Sequence, residues 1–278
     1  MARQRYGFDE AEIARFEKEG RGRGQRAEYR PWLTIRDVPS RGRSHRLQGM
    51  TTGRAHHFLS DIECHLFYLL DWSDSVIDIR EQFPLERAAT QRIAETLGVK
   101  HPCDTATRTP LVMTTDFLVD VVTGGRMSPL ARAVKPASDL DNPRTLEKLE
   151  IERRYWLERD TDLGLVTDRD LPEIPIRNIA WFHSSGMVDQ LSQPYEGYLQ
   201  EKADLVAREL VGGRAGNLRQ FCDEMDLRLG MDGGTALLLT RHLLSRKRIF
   251  CPMDRPIDDE SPLHWFQPGY RDVAGVRR

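Results

Sequence analysis

At 278 residues, 39% hydrophobic and 30% charged, the chain reads as a soluble globular protein with two modest domains or one large one. No apolar run approaches the roughly 20 residues of a membrane span, and the Arg-rich start lacks the apolar core of a signal peptide, so a cytoplasmic location is expected. Net charge is only −2, yet residues 1–57 hold 13 Lys and Arg against 7 Asp and Glu; such a basic leading segment suits contact with a polyanion, a solvated arm being the plain alternative.

In chain order, Asp9 to Glu19 has the spacing of a short amphipathic helix, and the GRGRGQR after it is a breaker. Arg41, Arg43 and Arg46 cluster in a loop beyond "RPWLTIRDVP". From Ala55 to Leu70, Phe58, Leu59, Ile62, Leu66 and Leu70 recur at helical spacing, which predicts one helix over that whole stretch. "SVIDIREQFPL" reads as an extended segment ended by Pro84, and residues 86–110 as a short helix and a loop. A hairpin follows over 114–135, then a helix from Asn142 to Glu158 with Pro143 in its first turn, then the strand "LGLVTD". Cys64, Cys103, Cys222 and Cys251 lie far apart without zinc-type spacing, which predicts reduced thiols. His45, His56, His57 and His65 make no convincing metal set and are expected at the surface or facing nucleic acid.

The hairpin carries an aspartate at the start of one apolar strand and a lysine at the end of the next. A turn centred between Gly125 and Arg126 would place Asp116 directly opposite Lys135, with Phe117, Val119 and Val121 pointing to the core. A structural salt bridge is the simplest reading of that pair, but a surface bridge contributes only about 0–1 kcal/mol. Two glutamates change the weighing. Glu63 borders the apolar face of the first long helix, and Glu152 lies in line with Leu149 and Trp156 on the second. A glutamate facing a core costs several kcal/mol unless it is paired or binds a cation.

Glu63, Asp116, Lys135 and Glu152 suit phosphodiester hydrolysis, in which carboxylates hold Mg²⁺ (Mn²⁺ substituting) and a lysine orients the attacking water. A helix Glu, a strand Asp and a Lys on the neighbouring strand occur in this order in restriction-endonuclease-like nucleases, whose core is a mixed sheet flanked by helices. The expected fold is therefore α/β for residues 1–183.

The blocks "EGRGRG", "YRPWLTIRDVPSRGRSHR", "TGRAHHFLSDIE", "SVIDIREQFPL", "TDFLVD", "VKPA" and "RTLEKLEIERRYW" resemble the TnsA family, densely over residues 8–183 and weakly beyond. The resemblance implies a metal-dependent DNA endonuclease subunit of a heteromeric transposase. Such a subunit cuts near the 5′ ends of a transposable element, while a DDE-type transposase subunit cuts and joins the 3′ ends. Carried over to this sequence, Glu63 in "LSDIE", Asp116 in "TTDF", Lys135 in "VKP" and Glu152 in "LEIERRYW" match the catalytic positions. The wider nuclease pattern has a Glu or Gln ligand two residues before the lysine; this chain has Ala133, which leaves the Val134 carbonyl and water to complete the metal shell. Arg41, Arg43, Arg46 and Arg54 are expected to hold double-stranded DNA by its phosphates, solvated loop arginines being the alternative.

From residue 184, "SSG" marks a linker, and helices are expected near Tyr195–Val211, Asn217–Leu229 and Thr235–Ser245, with a break at "GGRAG" and a strand in "RKRIFCPM". That order suggests a small, mostly α, winged-helix-like domain over 184–278, with Arg246, Lys247 and Arg248 as DNA backbone contacts; a plain helical packing domain is the other reading. The resemblance implies that this domain serves a regulatory AAA+ ATPase subunit and DNA. Two further functions fit the same residues: a stand-alone restriction or junction-cleaving nuclease, and a non-catalytic adaptor between DNA and an ATPase.

Overall fold

Asp9 accepts a hydrogen bond from the Glu12 amide at 2.8 Å and so starts helix α1 (Glu10–Lys18), which packs Ile13 and Phe16 against Trp32. The computed structural model describes residues 8–37, 43–211 and 215–269; Arg41 and the Gly212–Arg214 part of the expected "GGRAG" break lie outside them. Strands β1 (His45–Gln48) and β2 (Ala55–Phe58) form an antiparallel pair. Helix α2 (Asp61–Asp71) follows.

The single helix expected from Ala55 is thus two elements. Residues 55–58 pair with 45–48, and the helix begins only after Ser60, whose hydroxyl accepts from the Glu63 amide while the Glu63 carboxylate accepts from that hydroxyl. This S-x-x-E capping arrangement sets the helix start, and apolar spacing alone does not register it.

A four-stranded sheet forms the centre of the first unit: β3 (Val76–Pro84), β4 (Thr114–Thr123), β5 (Arg126–Val134) and β6 (Asp162–Val166), in the order β3-β4-β5-β6. Helix α3 (Arg87–Leu97) joins β3 to β4, and α4 (Pro143–Leu157) is the crossover that lets β6 run parallel to β5 while the other pairs are antiparallel. One core cluster joins α2 to the sheet through Phe58, Phe67, Ile79, Phe117 and Val119; another joins α3 and α4 through Ile93, Leu118, Ala131, Ile151 and Trp156. Each such fully buried large apolar side chain contributes about 1.5–3 kcal/mol. A mixed sheet flanked by helices is what the sequence led us to expect.

The hairpin register differs by two from expectation. Thr123 pairs with Arg126 and Phe117 with Arg132, so the turn is Gly124–Gly125, both at positive φ, and Asp116 falls opposite Ala133. A two-residue loop with two left-handed residues matches the twist of the flanking strands. A slip of two preserves the side-chain alternation, so Asp116 keeps the face assigned to it and Phe117, Val119 and Val121 are core residues as expected.

The second unit begins at Pro172, not at residue 184. It opens with α5 (Glu173–His183), a helix absent from the sequence reading, which packs on α8. The presumed linker is interior: Ser185, Gly186 and Val188 are buried, and the Ser185 carbonyl bonds His242 Nδ1 at 3.0 Å. Helices α6 (Tyr198–Leu210), α7 (Leu218–Leu229) and α8 (Thr235–Ser245) follow. Asp226 caps α8 by accepting from the Gly234 and Ala236 amides, both at 2.7 Å. Ala236, Leu239, Leu243 and Leu244 make α8 the buried centre of this unit. The expected long strand shrinks to β7 (Ile249–Phe250), paired antiparallel with β8 (Gln267–Pro268).

Candidate active site

Asp116 is the third residue of β4, and three groups converge on its carboxylate. The Val134 amide donates to Oδ2 at 2.6 Å, Lys135 Nζ donates to the same oxygen at 2.8 Å, and Gln82 Nε2 reaches Oδ1 at 3.4 Å. Lys135 also donates to the Val134 carbonyl at 2.8 Å. The aspartate is buried and the lysine partly open. Burial works against the ammonium, but the charge and hydrogen bond of Asp116 outweigh it and raise the lysine pKa. Lys135 is therefore a cation near neutral pH.

Asp116, Lys135 and Glu152 line one cleft of about 580 Å³. Helix α4 supplies its wall: Arg144, Lys148 and Glu152 follow one another at four-residue intervals, so they share a face of the helix, and all three line the cleft. Asn142 caps the helix at the same end, accepting from the Arg144 amide at 2.9 Å. Arg144 also pairs with Glu147 at 2.6 Å. Arg144 and Lys148 were not identified from the sequence, although their spacing back from Glu152 is visible there.

Glu152 is buried with one carboxylate oxygen, Oε1, lacking a hydrogen-bond partner. Burial, then the charge of Asp116, pushes its pKa up to about 8. Glu63 does not line the cleft but is buried near enough to feel Asp116; burial and then that charge push it up to about 7. Its two oxygens accept from the Leu59 amide at 3.0 Å and the Ser60 hydroxyl at 2.9 Å.

Three of the four sequence-predicted residues thus meet in one cleft, and the fourth couples to them through its charge. Among the described residues no three His, Cys, Asp or Glu side chains stand together as a ready metal cage. The donor chemistry nevertheless fits a hard divalent cation. The donors are all oxygen, an unpartnered carboxylate oxygen is buried, and two glutamates are driven toward neutrality by burial and then by the charge of Asp116, both of which a bound cation would offset.

The expected phosphate-binding arginines divide. Arg43 and Arg46 are exposed, Arg46 on β1 and not in a loop. Arg54 is interior. Its guanidinium donates to Glu81 Oε1 at 2.8 Å, to the other Glu81 oxygen, to the Ile79 carbonyl at 2.9 Å and to the Arg26 carbonyl at 3.1 Å. A guanidinium so committed is closed to a DNA phosphate, which corrects the expectation from the sequence. His56, expected at the surface, is fully buried in the same network, between Glu81 at 2.8 Å and Thr52 at 2.7 Å. The four cysteines are free thiols, as expected. In the second unit Arg248 bonds Asp204 at 2.7 Å, and Arg246 and Lys247 are half-buried at the end of α8.

No helix among the described residues is long and apolar enough to cross a membrane. Residues 73–168 match the family described as TnsA-like endonuclease N terminal, and residues 170–253 match TnsA endonuclease C terminal. The transposition protein TnsA of transposon Tn7 from Escherichia coli is 42% identical over 250 residues, which cover 87% of this chain and 86% of that protein.

Proposed function

Because the chain belongs to the TnsA endonuclease family, we propose that it is the metal-dependent endonuclease subunit of a heteromeric transposase. In this reading it cuts phosphodiester bonds near the 5′ ends of a transposable element, and a DDE-type transposase subunit cuts and joins the 3′ ends. The observation that carries the reading is the Asp116–Lys135 contact inside a cleft that also holds Glu152 and is walled by Arg144 and Lys148.

Asp116, Glu63, Glu152 and the Val134 carbonyl would hold Mg²⁺ or Mn²⁺, which when bound offsets charge on the phosphoryl oxygens and lowers the pKa of water. Lys135, protonated, donates to the attacking water or to a phosphoryl oxygen and keeps it in line with the leaving 3′ oxygen. Arg144 and Lys148 receive the flanking phosphates, and Arg43 and Arg46 grip the duplex backbone. The second unit, read as winged-helix-like, docks the regulatory AAA+ ATPase and touches DNA through Arg246, Lys247 and Arg248.

The test is cleavage of transposon-end DNA in Mg²⁺, with and without the partner transposase. Cleavage only with the partner and lost in Asp116→Ala supports the proposal. Cleavage by the chain alone makes it a self-sufficient nuclease, and DNA binding without any cleavage makes it an adaptor.

A further inference from the structure

Gln82 lies on β3 between the pairs Glu81–Phe117 and Phe83–Thr115, which puts it opposite Asp116. The other strand neighbour of Asp116 is Ala133, whose methyl group can make no hydrogen bond. Polar side-chain support for Asp116 from the flanking strand positions can therefore come only from β3.

Gln82 is built to give it. Its side chain is buried at 3% exposure. Its amide oxygen accepts from the Thr114 hydroxyl at 3.0 Å, which fixes the amide nitrogen toward Asp116 Oδ1 at 3.4 Å. Hydrogen bonds at catalytic centres are often long before substrate or cofactor arrives, and tighten on loading. The backbone of Gln82 is at φ 47°, in the left-handed region; among the described residues it is the only non-glycine within the four-stranded sheet with positive φ. Side chains held in that region persist where the surroundings enforce them, and they gather at functional sites.

We infer that Gln82 is a positioning residue. Through a Thr114–Gln82–Asp116 chain it sets the orientation of the Asp116 carboxylate, while Lys135 and the Val134 amide hold its other oxygen. This rests on the proposed cation-dependent site. Outer groups that orient a metal-binding carboxylate typically change metal affinity by about 10–100-fold when removed.

The test is Mn²⁺ binding to the full-length protein without DNA, followed by electron paramagnetic resonance, alongside thermal unfolding. Gln82→Met keeps the side-chain length and removes the donor. Gln82→Gly removes the side chain and relaxes the backbone at positive φ. Both should bind Mn²⁺ about 10–100-fold more weakly than the parent. Thr114→Val should shift affinity in the same direction, and Thr114→Ser should restore it. Folded Gln82→Met and Gln82→Gly proteins that bind Mn²⁺ with parental affinity, with only their melting temperatures altered, would reduce Gln82 to a structural residue and overturn the inference. A parent that binds no Mn²⁺ overturns the cation site itself, and this inference with it.

Discussion

Lys135 Nζ lies 2.8 Å from Asp116 Oδ2 although the two residues are not partners across the hairpin. Lys135 sits just beyond the last residue of β5 and reaches back past Ala133, the residue that does oppose Asp116. The ammonium is thus placed at the open end of the sheet, between a strand carboxylate and the cleft. Lys135→Ala should lower single-turnover cleavage of transposon-end DNA by about 10²–10⁴-fold, the usual range for a group that handles a proton or water in the transition state. Gel-shift affinity for the same DNA should change little.

The two raised glutamates give the metal-free protein a pH signature. A carboxylate whose pKa is higher in the folded chain than in the unfolded one binds protons in the native state that the unfolded state has released, so stability falls as pH rises through that window. For Glu63 and Glu152 the window runs from the ordinary 4.5 to about 7 and about 8. The melting temperature in EDTA should therefore decline between pH 5 and pH 8.5. Glu152→Gln should flatten the decline, and saturating Mg²⁺ should do the same in the parent.

Arg54 and the exposed arginines should part company in one experiment. Removing a single partner from a buried ion pair typically costs about 3–5 kcal/mol, because the other charge is left stranded. Arg54→Ala strands Glu81, which is fully buried and which His56 and Arg54 hold far below the usual carboxylate range despite that burial. Urea unfolding should show the loss. Arg43→Ala and Arg46→Ala should leave unfolding unchanged, and each should reduce the slope of log affinity for DNA against log salt by about one.

Ser60→Ala should cost about 1 kcal/mol in unfolding free energy, as loss of a helix N-cap usually does. It also removes one of the two groups that hold the Glu63 carboxylate against its own helix. The cleavage rate in the mutant, measured below its melting point, reports whether that restraint matters to the site.

The parts of the fold governed by local chemistry were readable in advance. Helix α4 announces itself with Asn142, Pro143 and a clear apolar stripe, and α8 matches its predicted limits because nothing but helix suits TALLLTRHLLS. The glycine pair guaranteed a turn between β4 and β5. What spacing could not decide was a choice between equally apolar patterns: AHHF carries residues that suit either a strand or the first turn of a helix, and only pairing with HRLQ settles it. Burial of a charge is likewise a tertiary event. Arg54 and Arg46 look alike in sequence, yet one meets Glu81 on a neighbouring strand and the other meets solvent. Within the site, the two helix glutamates and the hairpin charges were legible from periodicity. Gln82 was not, since neither its left-handed backbone nor its place across from Asp116 leaves a mark in the local pattern.

Helix α4 is a single rigid rod that bears Arg144, Lys148 and Glu152 along one edge. In the proposed function, a strand of nucleic acid lying along that edge would engage the two cations and the carboxylate as one alignment, so a sideways displacement of the duplex would shift grip and cutting position together. On that proposal the interval between the cut and the first anchored phosphate would be set by helical rise, about 1.5 Å per residue. Moving the cut of such a site would require turning or sliding the whole rod, not exchanging one contact for another.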